Sequence, residues 1–433
     1  MRLPILATLL LAATPAFAVD AITYKGTLGD HEIIAELASP GPNQLIGRYS
    51  YLAKGGDIPL DANGSVGTAA ITLLEEAPCT EQTCVQNDEG DVENPPIGGI
   101  WSLTLSADGA AYSGTWTPMD KSKSLPITLT EIARRTLPEG AEITPYELRD
   151  STFELFYGEG AVFAPHTAPY DFAKMEVVMD AGETETLEGS TFRYVTDPRT
   201  KFPFPRILSL ADGSLTQQAN EALERRHAAL NFFAFDCMAQ VYAGFGANEY
   251  TLGMGAGTLG DYDSENIVLT YLSPTVMNWV ESGSTYCTGA HPNNHSDTYI
   301  VDTKTGEPFA LANVFKDWEA TYKIGGSDGE IDQAAARANP QDYYWGAGQK
   351  LIDYAIANRM PNDESDRDDQ CGLDDLIASN LALRFVPGDS VLFTLEGLPH
   401  VTFACSQDLL TVKLRDIPEL LAPTAKDYFP ALQ

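Results

Sequence analysis

Seven short strand-like segments follow one another, with no helical pattern between them, in the first third of this 433-residue chain. Each alternates apolar and polar residues or is rich in β-branched and aromatic residues, and turn sequences such as Pro-Gly-Pro-Asn separate them. The segments are Ala21–Thr27, Glu32–Ala38, Leu45–Leu52, Ala69–Leu74, Trp101–Leu105, Tyr112–Trp116 and Leu125–Leu129. Because an open sheet leaves unpaired edge strands, this pattern predicts an all-β meander domain over residues 19–135, barrel-like and closed or nearly closed. The repeated Gly-x-Tyr and Gly-x-Trp strands at Gly47–Tyr49 and Gly114–Trp116 predict aromatic side chains packed inward.

The first eighteen residues have the pattern of an export signal. Arg2 supplies a positive charge, Ile5–Ala13 is a short apolar run, and Ala16-Phe17-Ala18 forms a small-x-small cleavage site. The run is too short to cross a bilayer, and no later segment reaches the necessary length. No cysteine follows the cleavage site, so we expect no lipid anchor. The sequence predicts a Sec-type signal peptide over residues 1–18 and a soluble bacterial protein that is periplasmic or secreted.

The chain is strongly acidic, with 61 Asp and Glu against 27 Lys and Arg and a formal net charge of -34. A field of this sign repels nucleic acid and anionic membrane surfaces and attracts cationic partners. The simplest interpretation is that acidity keeps an exported protein soluble, since net charge governs solubility and association rather than fold. The charge therefore disfavours a nucleic-acid partner and is compatible with a cationic protein.

Six cysteines in an exported chain indicate disulfides rather than a metal site. Cys79 and Cys84 lie five residues apart in one loop, which favours a local pair. For the others we favour Cys237 with Cys287 and Cys371 with Cys405, although spacing alone leaves the connectivity open. No Cys-x-x-Cys sequence is present, which disfavours a redox enzyme.

The second half of the chain mixes helices and strands without a regular β–α–β rhythm. Residues 136–188 connect the two parts and show no assignable pattern. Beyond them, apolar residues at helical spacing predict a helix with Asp212 or Ser214 as its N-cap. These residues are Leu215, Ala219, Ala222, Leu223 and Leu230.

A second helix is predicted near Tyr343–Met360 and a short one near Pro418–Leu421. The predicted strands are Ile267–Leu272, Asp297–Val301, Leu381–Val386, Val391–Leu395 and Leu410–Leu414. Together these elements predict a multidomain protein whose residues 189–433 form an α+β domain with a mainly antiparallel sheet.

Three segments of the second half carry a family resemblance. Phe202–Glu224 has a Pro-led strand followed by a helix with Asn220 near its middle. Gly289–Phe315 joins a Gly-Ala-His turn to an Asp-x-Lys-Thr-Gly hairpin turn, and Leu383–Ile417 reads as a closing hairpin, a last strand and a helix. This order resembles the extracytoplasmic domain family shared by the lysozyme-sensing anti-sigma factor RsiV and the peptidoglycan deacetylase PdaC. The chain departs from it at Thr288, where the family commonly has another glycine.

The resemblance implies a fold, a compartment and a class of ligand. It implies an extracytoplasmic RsiV-like domain that binds a cationic protein such as lysozyme, or a glycan fragment of peptidoglycan. For the deacetylase relatives, the resemblance implies that a separate catalytic domain carries out the reaction. Nothing in this sequence matches that domain.

A group of polar residues between Tyr286 and Asp297 is the best candidate for a functional surface, because its Gly, Pro and Asn content predicts an exposed turn of fixed geometry. The candidate binding residues are Tyr286, His291, Asn293, Asn294, His295 and Asp297. His291, His295 and Asp297 resemble metal ligands, but Pro292 prevents the helix on which an HxxxH pair serves zinc. We therefore predict neither a metal nor another cofactor here.

Other motifs have ordinary explanations. Gly255–Gly260 matches GxGxxG without the strand and helix that the phosphate-binding mechanism needs. Gly388-Asp389-Ser390 fits a turn between strands, with His400 as the one histidine nearby in sequence, which disfavours a serine hydrolase. The acidic loops Asn87–Asp91 and Asp363–Asp369 lack the calcium-loop register, so solvated loops are expected.

The sequence thus predicts a non-catalytic exported protein that binds a cell-envelope ligand, and no catalytic residue is assigned. The alternative hypothesis is a cell-wall-directed hydrolase or an accessory of a peptidoglycan-modifying enzyme. A structural envelope component without a small ligand is a third hypothesis.

Overall fold

The computed structural model describes residues 19–432 except 42, 89–91, 93–94, 138–142, 146–147, 150–154, 157–162, 248–263, 286, 288–291, 327–328 and 361–369. The chain divides into two compact units. The first comprises Met1–Val177 and Met238–Gly253, and the second comprises Val178–Cys237 and Met254–Gln433. The signal peptide predicted over residues 1–18 lies outside the described residues, as do the GxGxxG motif and the acidic loop at 363–369.

The first unit contains a closed antiparallel barrel of eight strands in sequence order, which confirms the predicted all-β meander. The strands are β1 Val19–Leu28, β2 His31–Gly41, β3 Gln44–Tyr51, β4 Asp57–Ala62, β5 Ala70–Glu76, β6 Ile97–Leu105, β7 Ala111–Pro118 and β8 Leu125–Leu137, and a short helix, α1 Pro169–Lys174, follows. The barrel closes because β8 pairs with β1 along its length. Strand β4 is not among the predicted strands, since Pro59 and the flanking acidic residues obscure its pattern.

The inward faces of the strands form an aromatic and aliphatic core that includes Tyr24, Tyr49, Trp101 and Tyr112. Trp116 packs against this core, as the Gly-x-Trp pattern predicts. Gly114 is required there because a Cβ atom at this position would lie 1.9 Å from the carbonyl oxygen of Ser102 on β6.

One carboxylate, Glu75, lies among these aromatic side chains. Its Oε2 accepts hydrogen bonds from Tyr49 Oη at 2.9 Å, Trp101 Nε1 at 2.7 Å and Trp116 Nε1 at 3.0 Å. Burial raises the pKa of Glu75, and the three donors oppose that shift. The side chain thus links strands β3, β5, β6 and β7 through one oxygen atom.

The outer face of the barrel beneath α1 holds a buried network of charged side chains. The Arg48 guanidinium lies 2.8 Å from Glu36 and 2.8 Å from Asp171 of α1. Asp57 contacts Arg48 at 3.2 Å and Lys174 at 2.9 Å. Burial alone would raise the pKa of Asp57, but Lys174 and Arg48 lower it below its ordinary value. These contacts attach α1, and the segment that carries it, to the barrel.

The second unit is an α+β structure with antiparallel sheets, as predicted. Its strands are β9 Asp180–Leu187, β10 Ser190–Thr196, β11 Pro203–Ser209, β12 Ser264–Leu272, β13 Val276–Thr285, β14 Asn293–Asp302, β15 Trp318–Lys323, β16 Tyr343–Ala347, β17 Leu381–Val386, β18 Ser390–Leu395 and β19 Asp408–Lys413. They form sheets in the orders β11-β10-β9, β12-β13-β14, β15-β16 and β17-β18-β19. The α-helices are α2 Gln217–Ala239, α3 Gln333–Ala338, α4 Gln349–Asn358, α5 Leu373–Asn380 and α6 Ala425–Tyr428.

Among the described residues of this unit, two large hydrophobic cores hold the elements together. In the first, α2 packs with β10, β11 and the β12–β14 sheet through residues such as Phe204, Leu223 and Trp279. In the second, α4, α5 and the β17–β19 sheet surround Phe385 and Phe393. Short 3₁₀ turns complete the unit at Leu311–Asn313, Pro340–Asp342, His400–Cys405, Leu414–Asp416 and Pro430–Leu432.

Two local predictions are wrong, and a third is wrong only in where its helix begins. Neither Asp212 nor Ser214 caps α2, because the Asp212 carboxylate accepts bonds from Ser214 and the helix begins at Gln217. The helix predicted near Tyr343–Met360 is present as α4, Gln349–Asn358, but the start of the predicted range forms the strand β16, where Tyr and Trp favour a strand. Pro418–Leu421 forms a turn rather than a helix.

Disulfides join Cys79 to Cys84, Cys237 to Cys287 and Cys371 to Cys405, which are the three pairs favoured above. Within the described ranges, no helix has the length and apolar character needed to cross a membrane.

Candidate functional site

A groove with a volume of about 1480 Å³ lies in the second unit along β14. Its walls come from β14, β16, the start of β17 and the segment between β14 and β15. Aromatic and charged side chains line it, namely Tyr299, Phe309, Trp318, Trp345, Asp297, Glu307, Arg337 and Glu396. The volume exceeds the roughly 300–1,000 Å³ of sites for one small molecule, which indicates space for a larger or extended ligand.

Strand pairing brings four ionisable side chains to one face of the β12–β14 sheet beside this groove. Glu281 of β13 pairs with Asp297 of β14. Gly283 of β13 pairs with Glu265 of β12 on one side and with His295 of β14 on the other. Paired residues project to the same face of a sheet, and Gly283 has no side chain to separate its neighbours. Glu265 and His295 therefore meet over the middle strand.

Glu265 and His295 form an ion pair when the imidazole is protonated. His295 Nε2 lies 3.0 Å from Glu265 Oε2, and the side chains are 15% and 1% exposed. His295 Nδ1 lies 3.2 Å from the carbonyl oxygen of Asn293. The Glu265 carboxylate raises the pKa of His295, and desolvation opposes the shift.

Glu281 is held in place by donors on two sides. Arg226 of α2 contacts both of its oxygens, at 2.9 Å and 2.6 Å, and Trp279 Nε1 donates at 2.8 Å. The Arg226 guanidinium also stacks over the Tyr299 ring at 4.5 Å. Its charge is therefore already shared between a carboxylate and an aromatic ring.

Asp297 lies where this charged face meets the groove. Burial raises the pKa of Asp297, and Glu281 raises it further, while His295 and Arg226 oppose the shift. Among the residues that the structure describes, none donates a hydrogen bond to this carboxylate. Asp297 is thus a half-buried acid in the groove wall whose charged form a ligand cation would stabilise.

Glu396, at the same end of the groove, is bonded to protein groups instead. Its Oε2 accepts from the Thr298 backbone N–H at 2.9 Å, and its Oε1 accepts from Thr298 Oγ1 at 2.8 Å. Arg384 contacts Oε1 at 3.2 Å. Burial raises the pKa of Glu396, and the Thr298 donors and Arg384 oppose the shift. Glu396 therefore joins β14 to the end of β18.

The structure places four of the predicted binding residues on β14. Asn293, Asn294, His295 and Asp297 belong to this strand, so the turn predicted to extend to Asp297 ends earlier than expected. Asn294 Oδ1 contacts His400 Nδ1. Tyr286 and His291 lie outside the described residues. Of the four, only Asp297 lines the groove.

Nothing in the sequence singles out Glu265, Glu281, Arg226 and Glu396 as site residues. These residues are distant from Asp297 in sequence, and strand pairing or helix packing brings them near it. A weak signal is present in β13, where Glu281 directly follows the apolar residues Trp279 and Val280.

No group of three or more His, Cys, Asp or Glu side chains in the described part of the chain is arranged to hold a metal ion. The Ser390 hydroxyl donates to the Gly388 carbonyl oxygen at 3.3 Å, in the turn between β17 and β18. Neither a protein-family model nor a curated protein sequence matches the chain.

Proposed function

We propose that the protein is a non-catalytic exported binding protein whose groove takes a cell-envelope ligand, either a cationic protein such as lysozyme or a glycan fragment of peptidoglycan. The observation that carries this proposal is Asp297, a desolvated carboxylate in the wall of a large groove with no hydrogen-bond donor from the described residues. A ligand ammonium or guanidinium group would supply the missing partner.

Two further observations support a cationic ligand. The net charge of -34 would attract such a partner and speed its association, particularly at low salt. The resemblance to the RsiV-like domain family points to the same class of ligand. The three disulfides suit an oxidising compartment, and we place the protein in the bacterial periplasm or outside the cell on the strength of the predicted signal peptide.

Calorimetric titration of lysozyme and of soluble muropeptides at low and high salt tests the proposal. We expect lysozyme to bind at low salt and Asp297→Asn to weaken binding roughly tenfold or more, since a hydrogen bond to a charged group contributes about 1.5–3 kcal/mol. The matched control is Asp416→Asn, an exposed acid of the same unit outside the groove lining. Equal effects of the two variants, or no binding of either ligand, would contradict the proposal.

A cell-wall hydrolase is the second candidate function, because Asp297 and Glu396 are two groove carboxyls whose pKa values burial raises. Glycoside hydrolysis uses such a pair, one protonated acid and one carboxylate. Release of soluble sugars from purified peptidoglycan, abolished separately by Asp297→Asn and Glu396→Gln, would favour this candidate over the binding protein.

A further inference from the structure

We infer that the groove binds an extended basic peptide segment, one residue of which hydrogen-bonds to the main chain of Thr298 and Ile300 at the free edge of β14. This inference rests on the proposed function, since it uses the same groove and Asp297. It narrows the ligand to a polypeptide strand and identifies the groups that hold its backbone.

The edge of β14 can be assigned from two bonds. β14 is an end strand of its sheet. The Thr298 N–H points away from β13, because it donates to Glu396 Oε2 at 2.9 Å. The Ile300 C=O also points away, because it accepts from the Phe309 N–H at 2.9 Å. In an antiparallel ladder the N–H and C=O of one residue point to the same side. The Thr298 C=O and the Ile300 N–H therefore point outward from the sheet as well.

These two groups have no partner outside the sheet among the residues that the structure describes. Both residues line the groove. The outward-facing groups on either side are already bonded, the Thr298 N–H to the Glu396 carboxylate and the Ile300 C=O to the Phe309 N–H. The free part of the edge is therefore one residue long. The Ile300 N–H donor and the Thr298 C=O acceptor are thus both free, and their separation matches one residue of a neighbouring strand.

An extended peptide matches this pair, and an acetamido sugar does not. In an extended chain that runs parallel to β14, the N–H and C=O of the residue opposite Tyr299 point to the same side, so they can reach the Thr298 C=O and the Ile300 N–H together. The N–H and C=O of a single planar trans amide point in opposite directions. An N-acetyl group could therefore engage only one of the two edge groups.

Pairing at this edge would also favour a basic side chain on the bound residue. The bound residue would lie opposite Tyr299, which places Asp297 diagonally across the pair. Diagonal neighbours are about 7–8 Å apart, within reach of lysine or arginine. Glu281 already has Arg226 and Trp279 as partners, so Asp297 is the acid available to such a side chain.

The opposite wall supplies a second pair of main-chain groups. The Phe385 N–H and C=O point away from β18, because they bond to the Asn278 side chain at 3.1 Å and 3.0 Å. Leu383, two residues earlier on β17, has the same orientation by the alternation of the ladder. Its side chain is buried in the core, yet the residue lines the groove, so its main chain forms that part of the wall.

Backbone N-methylation of a model peptide tests the inference directly. The probe is a short acetylated peptide of alternating threonine and lysine, with one analogue N-methylated at the threonines and another at the lysines. Because the residue whose N–H bonds to the edge also carries the basic side chain, we expect the analogue methylated at the lysines to lose roughly tenfold or more in affinity and the other to bind like the parent. Equal affinities of the two analogues, or a loss confined to the analogue methylated at the threonines, would overturn the inference.

An Ile300→Pro variant removes the free donor while leaving the ladder to β13 intact, because this N–H points outward. Ile300→Val is its matched control, and the melting temperature of each variant shows whether it is folded. We expect loss of peptide affinity in the proline variant alone. Asp297-dependent binding that tolerates both N-methyl analogues and Ile300→Pro would refute strand pairing but retain the cationic-ligand function. Absence of any Asp297-dependent binding would refute both.

Discussion

Replacing Arg48 by methionine tests whether the buried charge network holds the first unit together. The guanidinium is 0% exposed and contacts Glu36, Asp57 and Asp171 within 3.2 Å. The substitution would keep much of the volume but leave carboxylates buried with fewer cationic partners. Breaking a buried ion pair by removing one partner costs about 3–5 kcal/mol. For a unit of this size, each kcal/mol lowers the melting temperature by about 2–4 °C, so we expect a fall of roughly 6–20 °C.

Differential scanning calorimetry of the oxidised protein measures this effect on the transition of the first unit. Arg134→Met is the matched control, since Arg134 on β8 is 51% exposed in its ion pair with Glu131. Such surface pairs contribute about 0–1 kcal/mol, so the control should melt within a few degrees of the parent protein. Equal shifts in the two variants would refute the argument that this network attaches α1 to the barrel.

The remaining predictions concern pH and the charged face. Glu265 raises the pKa of His295 in the folded state, so the stability that His295 contributes should be fully present below its unfolded pKa and lost as pH rises through the folded value. The stability difference between the parent and His295→Gln, from urea unfolding, should therefore be larger at pH 5 than at pH 9. Burial raises the pKa of Glu76 from 4.5 to about 7, so folding stability should fall by about 3 kcal/mol as pH rises across that interval, and Glu76→Gln should remove that fall. A valine at Gly283 would stand between Glu265 and His295, so Gly283→Val should abolish the raised His295 pKa in an NMR titration, whereas Ser282→Val on the opposite face should not.

Much of the fold could be predicted because local patterns agree with the tertiary structure. The barrel strands alternate apolar and polar residues, since one face packs inside the barrel. The predicted bounds of β17 match the observed ones because a Pro-Gly turn directly follows its apolar run. β13 escaped prediction, since its Asn and Glu residues break the apolar pattern and gain partners only after folding.

The candidate site was less predictable than the fold. Polar residues near Asp297 stand out in the sequence, but the side chains that tune Asp297 come from β13, β14 and α2. Residue spacing along the chain carries no information about those pairings. The free edge groups of Thr298 and Ile300 are main-chain atoms, so no residue type signals them.

By itself, the sequence determined the all-β first part, the mixed second part, the acidic charge and a set of cysteines suited to pairing, because these depend on composition and on short-range periodicity. Only the tertiary structure decided that Arg48 is buried among carboxylates, that Gly283 lets Glu265 and His295 meet, and that Asp297 lies in a groove beside a free strand edge. These features depend on contacts between residues far apart in the chain, and long-range strand register and helix packing set them.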